Sequence, residues 1–195
     1  MNRLKLCCVA VIASMAVLLA SGQSRPQNRG PVTALIVRHA ERAEKPADDP
    51  GLTAAGQARA IALVEVARKA KVTAIITTEL LRTRNTAGPT AKSLGITSEV
   101  LMTGDPRHAQ NVASAVRAHG GQTVLVVGHS NTIPAIIEGL GARNPGAICE
   151  MEYDKIFLVK VAANGVASVT RSTYGAGTPM DANCKPVPQP ARPEK

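Results

Sequence analysis

Short runs of β-branched and aliphatic residues alternate along this chain with longer stretches whose small and apolar residues recur at helical spacing. This alternation restricts the fold more than any other feature. Residues 32–37 form the first apolar run, and a helical pattern follows over 53–70. Residues 72–77 and 83–94 repeat the pair, with Gly95 ending the helix. A weaker strand over 96–101 precedes a helix over 106–119, where Pro106 suits a first helical turn. Gly120 and Gly121 then break the chain before residues 123–127, the clearest buried strand, and a helix is expected over 131–140. Residues 155–161 and 166–172 flank Asn164-Gly165, a dipeptide favoured in tight hairpin turns. Strands that alternate with helices pair in parallel and are covered on both faces. The predicted fold is α/β: a three-layer α/β/α sandwich with a mostly parallel sheet and an antiparallel edge hairpin.

The two ends of the chain lack this pattern. Arg3 and Lys5 precede an apolar run over 6–20, and Ala20-Ser21-Gly22 closes it, which reads as a secretory signal cleaved after Gly22. The run is shorter than the about 20 residues needed to cross a bilayer core, so no stable membrane anchor is expected after cleavage. With 1–22 as signal peptide, residues 23–31 read as a polar linker. Residues 181–195 are a Pro-rich tail, and one domain remains over 32–180. The mature protein is therefore expected to be periplasmic or secreted. In such a compartment the remaining cysteines, Cys149 and Cys184, suit a disulfide tying the tail to the body, with two separate thiols as the alternative.

The chain has 195 residues and a formal net charge of +9. Without the signal, 21 Lys and Arg face 14 Asp and Glu, a net +7. The basic residues are dispersed and not gathered into a block, and there is no Trp, one Phe and two Tyr on which bases could stack. Nucleic acid is therefore not an expected partner. A dispersed positive excess favours small anionic ligands instead.

In open α/β sheets, ligands bind beyond the carboxyl ends of the strands. Three predicted strands here end in polar clusters: Arg38-His39-Ala40-Glu41, residues 77–84 with Arg82 and Arg84, and Gly128-His129-Ser130-Asn131-Thr132. Taken singly, each has an ordinary explanation, such as a solvated Arg-His loop, a solvent-facing Arg, or His129 capping the helix after it. Jointly, they place two His and at least two Arg at one sheet edge. The planar fork of Arg matches phosphate oxygens, and His serves as a nucleophile or a hydrogen-bond donor. Ser130 and Asn131, expected to open a helix, would add backbone N–H groups for the same oxyanion.

These three motifs, with Thr78-Glu79-Leu80-Leu81-Arg82-Thr83-Arg84-Asn85-Thr86-Ala87 as the second, resemble those of the histidine phosphatase superfamily, also called phosphoglycerate mutase-like. Leu52-Thr53-Ala54-Ala55-Gly56 resembles the segment that opens the family's first helix. The resemblance runs over about residues 32–174. It implies that His39 is the nucleophile and becomes a phosphohistidine, while Arg38, Arg82 and His129 hold the phosphoryl oxygens. Ser130, Asn131 and Glu41 are further candidates for binding substrate. It implies a small phosphorylated substrate and neither a metal nor another cofactor.

Ala40 stands where many family members have Gly. Many members also supply a carboxyl proton donor between the second Arg and the second His. Asp105 is the first choice here and Glu99 the second, with Glu41 a distant third; Asp105 would serve equally well as a cap for the helix after it. Mutases of the family carry sizeable insertions over the substrate, whereas a helix and a strand take up most of the interval between Arg82 and His129 here, so no large lid is expected and the resemblance favours a phosphatase over a mutase. Gly128-His129-Ser130 also raises a serine hydrolase, but Thr132 occupies the position where the nucleophile elbow needs Gly. A metal hydrolase is disfavoured by the flanking Arg cations. A non-catalytic exported phosphate or phosphosugar binder is the remaining rival.

Overall fold

The computed structural model of the protein describes residues 30–178. The expected signal, most of the linker, the Pro-rich tail and Cys184 lie outside the described residues. Six strands and four helices follow the expected order: β1 (Val32–Arg38), α1 (Ala54–Lys69), β2 (Ala74–Thr77), α2 (Leu81–Leu94), β3 (Glu99–Val100), α3 (His108–Ala118), β4 (Thr123–Gly128), α4 (Ile133–Gly139), β5 (Lys155–Val161) and β6 (Ala167–Thr173). They form one mixed sheet in the order β3-β2-β4-β1-β5-β6. The first four strands in that order are parallel, and β5 and β6 complete the sheet in antiparallel fashion. The expected α/β sandwich with its edge hairpin is the observed architecture.

The strand periodicity of two explains the layers. Ala34 and Ile36 of β1, with Val124 and Val126 of β4, point into a core shared with α3 and α4. Their neighbours Leu35, Val37, Leu125 and Val127 point the opposite way, into a core shared with Leu63 and Ala67 of α1 and Ala87 of α2. Both faces of β1 and β4 are therefore dry, which is why their sequences read as continuous apolar runs. At the far edge, Gly165 adopts a left-handed φ of 86° and lets the chain turn from β5 into β6.

Several boundaries differ from expectation, each for a local reason. The side chain of Asp49 accepts from the Leu81 N–H at 2.9 and 3.1 Å, so α2 begins two residues early, capped from a distant loop. Asp105 accepts from the Arg107 N–H at 2.7 Å through its side chain and from the His108 N–H at 2.9 Å through its carbonyl. Pro106 consequently lies in a turn ahead of α3. The His129 carbonyl accepts from both Thr132 and Ile133, so residues 129–132 form a turn and α4 starts only at Ile133. The strand expected over 96–101 contracts to the two exposed residues of β3.

The Thr53 hydroxyl caps α1 by accepting from the Gly56 N–H at 3.1 Å. The first turn of α1 lies directly on the backbone of Glu41, and a Cβ at Gly56 would collide with the Glu41 carbonyl oxygen. Because backbone opposes backbone there, Gly56→Ala is expected to destabilise the protein by about 1–3 kcal/mol in urea unfolding. A change below about 0.5 kcal/mol would show that this approach tolerates a methyl group.

Candidate active site

Parallel pairing of β1 with β4 sets Arg38 opposite Gly128. One step further, the His39 N–H donates to the Gly128 carbonyl at 2.9 Å. The residues after the two strands therefore emerge side by side, and the His39 and His129 rings lie 5.4 Å apart between centroids. From β2, on the other side of β4, Thr78 brings its hydroxyl within 3.2 Å of His129 Nε2. The Thr86 hydroxyl accepts from the Ala40 N–H at 2.8 Å and donates to the Arg82 carbonyl at 2.7 Å. That hydroxyl pins the first motif to the second.

The electrostatic state of the cluster follows from burial. His39 is 4% exposed, and its Nδ1–H donates to the Ala40 carbonyl at 2.8 Å, leaving Nε2 with a free lone pair. Burial, reinforced by the Arg38 charge, pushes His39 down from 6.5 to about 2. Burial and then Arg82 lower His129 to about 3. Both rings are therefore neutral at working pH. The Nε atoms of Arg38 and Arg82 are buried with no hydrogen-bond partner among the described residues. Buried guanidinium N–H groups left unpaired are costly, and an oxyanion is the ligand that satisfies them.

Arg38 is held from its far side by a segment that the sequence did not single out. Its Nη1 donates to the Cys149 carbonyl at 3.1 Å and to the Glu150 carbonyl. Its Nη2 pairs with Glu150 Oε1 at 2.8 Å. The guanidinium lies 4.3 Å from the ring centre of Tyr153, a cation–π contact that also fixes its plane. Tyr153 stands 6.1 Å from His39. The scarcity of aromatic residues was the one available signal for Tyr153, and it names no partner.

A cleft of about 380 Å³ opens beside His129, bordered by Arg82, Asp105, His108 and Asn131. Ser130 is buried next to His129. The turn over 129–132 means that Ser130 and Asn131 precede α4 and do not form its N-terminus, correcting the helix-opening expectation. Asp105 borders the cleft, but its carboxylate is already engaged by the Arg107 N–H and by Asn111 at 2.8 Å. Glu41 is turned away from the cluster into an ion pair with Arg59, at 2.8 Å from Nη2. Glu99 lies on the exposed edge strand, 3.9 Å from His119. Among the described residues, no three His, Cys, Asp or Glu side chains gather as a metal site.

Two neutral imidazoles and two guanidinium groups thus meet at the carboxyl edge of the parallel strands, an arrangement whose chemistry suits an oxyanion. A family model of the histidine phosphatase superfamily, branch 1, matches residues 34–103 and bears out the resemblance carried by the motifs. The third motif lies beyond that segment, and the sheet brings His129 to it. No curated protein matches the chain by sequence. In fold, the chain is similar to the protein histidine phosphatase SixA complexed with tungstate, with 19% identity, a TM-score of 0.57, and coverage of 72% of this chain and 96% of that one. It is also similar to a mycobacterial glucosyl-3-phosphoglycerate phosphatase, with 14% identity, a TM-score of 0.56, and coverage of 75% and 100%. A phosphoserine phosphatase from Entamoeba histolytica has 16% identity and a TM-score of 0.52, with coverage of 74% and 98%.

The buried histidines carry a consequence for stability. Unfolded, each takes up a proton near pH 6.5, whereas the folded protein resists protonation until about pH 2 and 3. The unfolded state thus binds more protons in this window, and stability falls as pH drops below about 6.5. The unfolding free energy of His129→Asn is expected to fall less steeply between pH 7 and pH 4 than that of the wild type. Identical slopes in urea titrations would show that His129 is not held neutral.

Proposed function

We propose that this protein is a metal-independent phosphatase that hydrolyses small phosphomonoesters through a phosphohistidine on His39. The observation that carries this reading is the fixed tautomer of His39, with Nδ1–H committed to the Ala40 carbonyl and Nε2 free beside Arg38 and Arg82. A protein that only binds phosphate needs the cations but not an oriented lone pair.

In the proposed reaction His39 Nε2 attacks phosphorus in line with the leaving oxygen, and water then hydrolyses the phosphohistidine. The covalent intermediate divides one difficult displacement into two easier ones. Arg38, Arg82 and His129 hold the phosphoryl oxygens, and stabilising the charge spread over them is most of the catalytic task in phosphoryl transfer. The low basicity of both histidines belongs to the ligand-free, cation-rich site. A phosphate dianion reverses the local field, which restores basicity to His39 and favours a proton on His129. The interval from Arg82 to His129 is taken up by α2, β3, α3 and β4, which favours a phosphatase over a lidded mutase.

The names of the structurally similar proteins refer to phosphohistidine-type, phosphoserine and phosphoglycerate substrates, whose leaving groups are chemically unlike. What they share is the phosphoryl group. With few rings for stacking, broad selectivity among phosphomonoesters is the reading these residues support. Export, and oxidation of Cys149 with Cys184, complete the proposal on sequence grounds. The exported chain should begin at Gln23 and react with no thiol reagent until reduced; an uncleaved N-terminus or two titratable thiols would overturn this part.

The test of the chemistry is turnover of p-nitrophenyl phosphate, whose leaving group needs little protonation. Wild-type protein should hydrolyse it in the presence of EDTA and form an acid-labile phosphoenzyme. His39→Ala should lower kcat by on the order of 10³-fold or more and abolish labelling. Labelling retained without His39 would refute the nucleophile, and an inactive wild type would refute the phosphatase.

A further inference from the structure

Alkyl phosphates have poor leaving groups, and the departing oxygen needs a proton. The carboxylates near the site are all engaged: Glu150 pairs with Arg38 Nη2 at 2.8 Å, and Asp49 accepts from the Leu81 N–H at 2.9 Å. Glu41 accepts from Arg59 Nε at 3.0 Å and from Nη2 at 2.8 Å. Asp105 is held below the usual carboxylate range first by the Arg107 N–H, with Asn111 adding to it. Burial acts to raise Glu79, but hydrogen bonds from the Thr103 hydroxyl and N–H outweigh it and hold that carboxyl low. Glu99 lies on the edge strand with His119.

His108 is different. It opens α3, borders the cleft together with Arg82 and His129, and is 5% exposed. Its Nδ1 lies 3.0 Å from the Met102 carbonyl, so that nitrogen carries a hydrogen and the ring is fixed. Its Nε2 is buried with no partner among the described residues. The charged and titratable groups around the ring are Arg82 from α2, Glu79 from the turn before α2, His129 from the turn after β4, and Asp105 and Arg107 beside it. From α4, Ala135 borders the same cleft, and Gly139 packs against Ala109 and Ala113.

We propose that His108 is the proton donor to the leaving-group oxygen, an inference that rests on the phosphatase reading above. As His39 Nε2 bonds to phosphorus, the P–O bond to the leaving group breaks and its electron pair stays on oxygen. That oxygen takes the proton from Nε2 of the His108 imidazolium. Neutral His108 then accepts a proton from the water that attacks the phosphohistidine. The new P–O bond forms, the P–N bond breaks with its pair returning to His39, and inorganic phosphate leaves with His108 protonated again. The Nδ1–H bond to Met102 is kept throughout, so the ring need not turn between steps.

The test compares glycerol 2-phosphate with p-nitrophenyl phosphate on the full mature chain. His108→Asn keeps an N–H for the Met102 carbonyl but has no transferable proton, and His108→Gln serves as a second variant. In both, kcat/KM for glycerol 2-phosphate should fall about 100-fold or more, while that for p-nitrophenyl phosphate changes less than about threefold. Labelling by p-nitrophenyl phosphate should persist in both variants, a readout that a purely structural role of His108 would not spare. Equal losses on the two esters, loss of labelling in both variants, or an alkyl rate within threefold of wild type each overturn the proposal. So does a wild type that does not hydrolyse glycerol 2-phosphate. Failure of the phosphatase reading itself looks different, since wild-type protein would then neither turn over p-nitrophenyl phosphate nor become labelled.

Discussion

The site depends on one backbone contact, the hydrogen bond from the His39 N–H to the Gly128 carbonyl at 2.9 Å. It extends the parallel ladder of β1 and β4 one step past the last paired residues, Arg38 and Gly128. Slipping that register by one residue would reverse which face each side chain takes, and the apolar alternation of both strands forbids it. The cores on the two sides of the sheet are thus what hold two imidazoles within 5.4 Å of each other. Packing far from the chemistry sets the distance at which the chemistry works.

A cluster of one buried and one partly buried guanidinium group with two imidazoles is a concentration of positive charge that a folded protein has to manage. Protonating either histidine would add to it, and burial makes that still more costly, which is why both rings stay neutral. Arg38 is balanced from behind by two carbonyls, the Glu150 carboxylate and the Tyr153 ring. Arg82 has a weaker partner in Asp49, at 4.0 Å. Neither arrangement reaches the Nε atoms. These two unpaired donors suit the anionic substrate proposed above.

Much of this was legible from sequence because it is periodic or local. The central strands β1, β2 and β4 are legible as the apolar runs that a two-sided sheet requires, whereas β3 is far shorter than the run over 96–101 suggests, and the three polar clusters carry the resemblance. What escaped was held by long-range partners. Asp49 caps α2 from 32 positions upstream. Glu150 and Tyr153 meet Arg38 across more than 100 residues, a pairing with no periodic signature. Glu41 closes the first motif and is expected near the site on that ground, yet Arg59 on α1 takes its carboxylate. His108 lies in no motif, and the turn made by Asp105 precedes it where it borders the cleft.

Each Phe and Tyr ring in the chain has a guanidinium over it: Arg38 over Tyr153, Arg59 over Tyr174 and Arg171 over Phe157. With no Trp in the sequence, the near-ultraviolet signal of the protein comes chiefly from two tyrosines. One is seated on Arg38 of the first motif, and the other on the arginine that holds Glu41, the last residue of that motif. The chain thus carries its own optical labels at the two places where the first motif is clamped, and its absorbance and dichroism report on the geometry of the site with no dye attached.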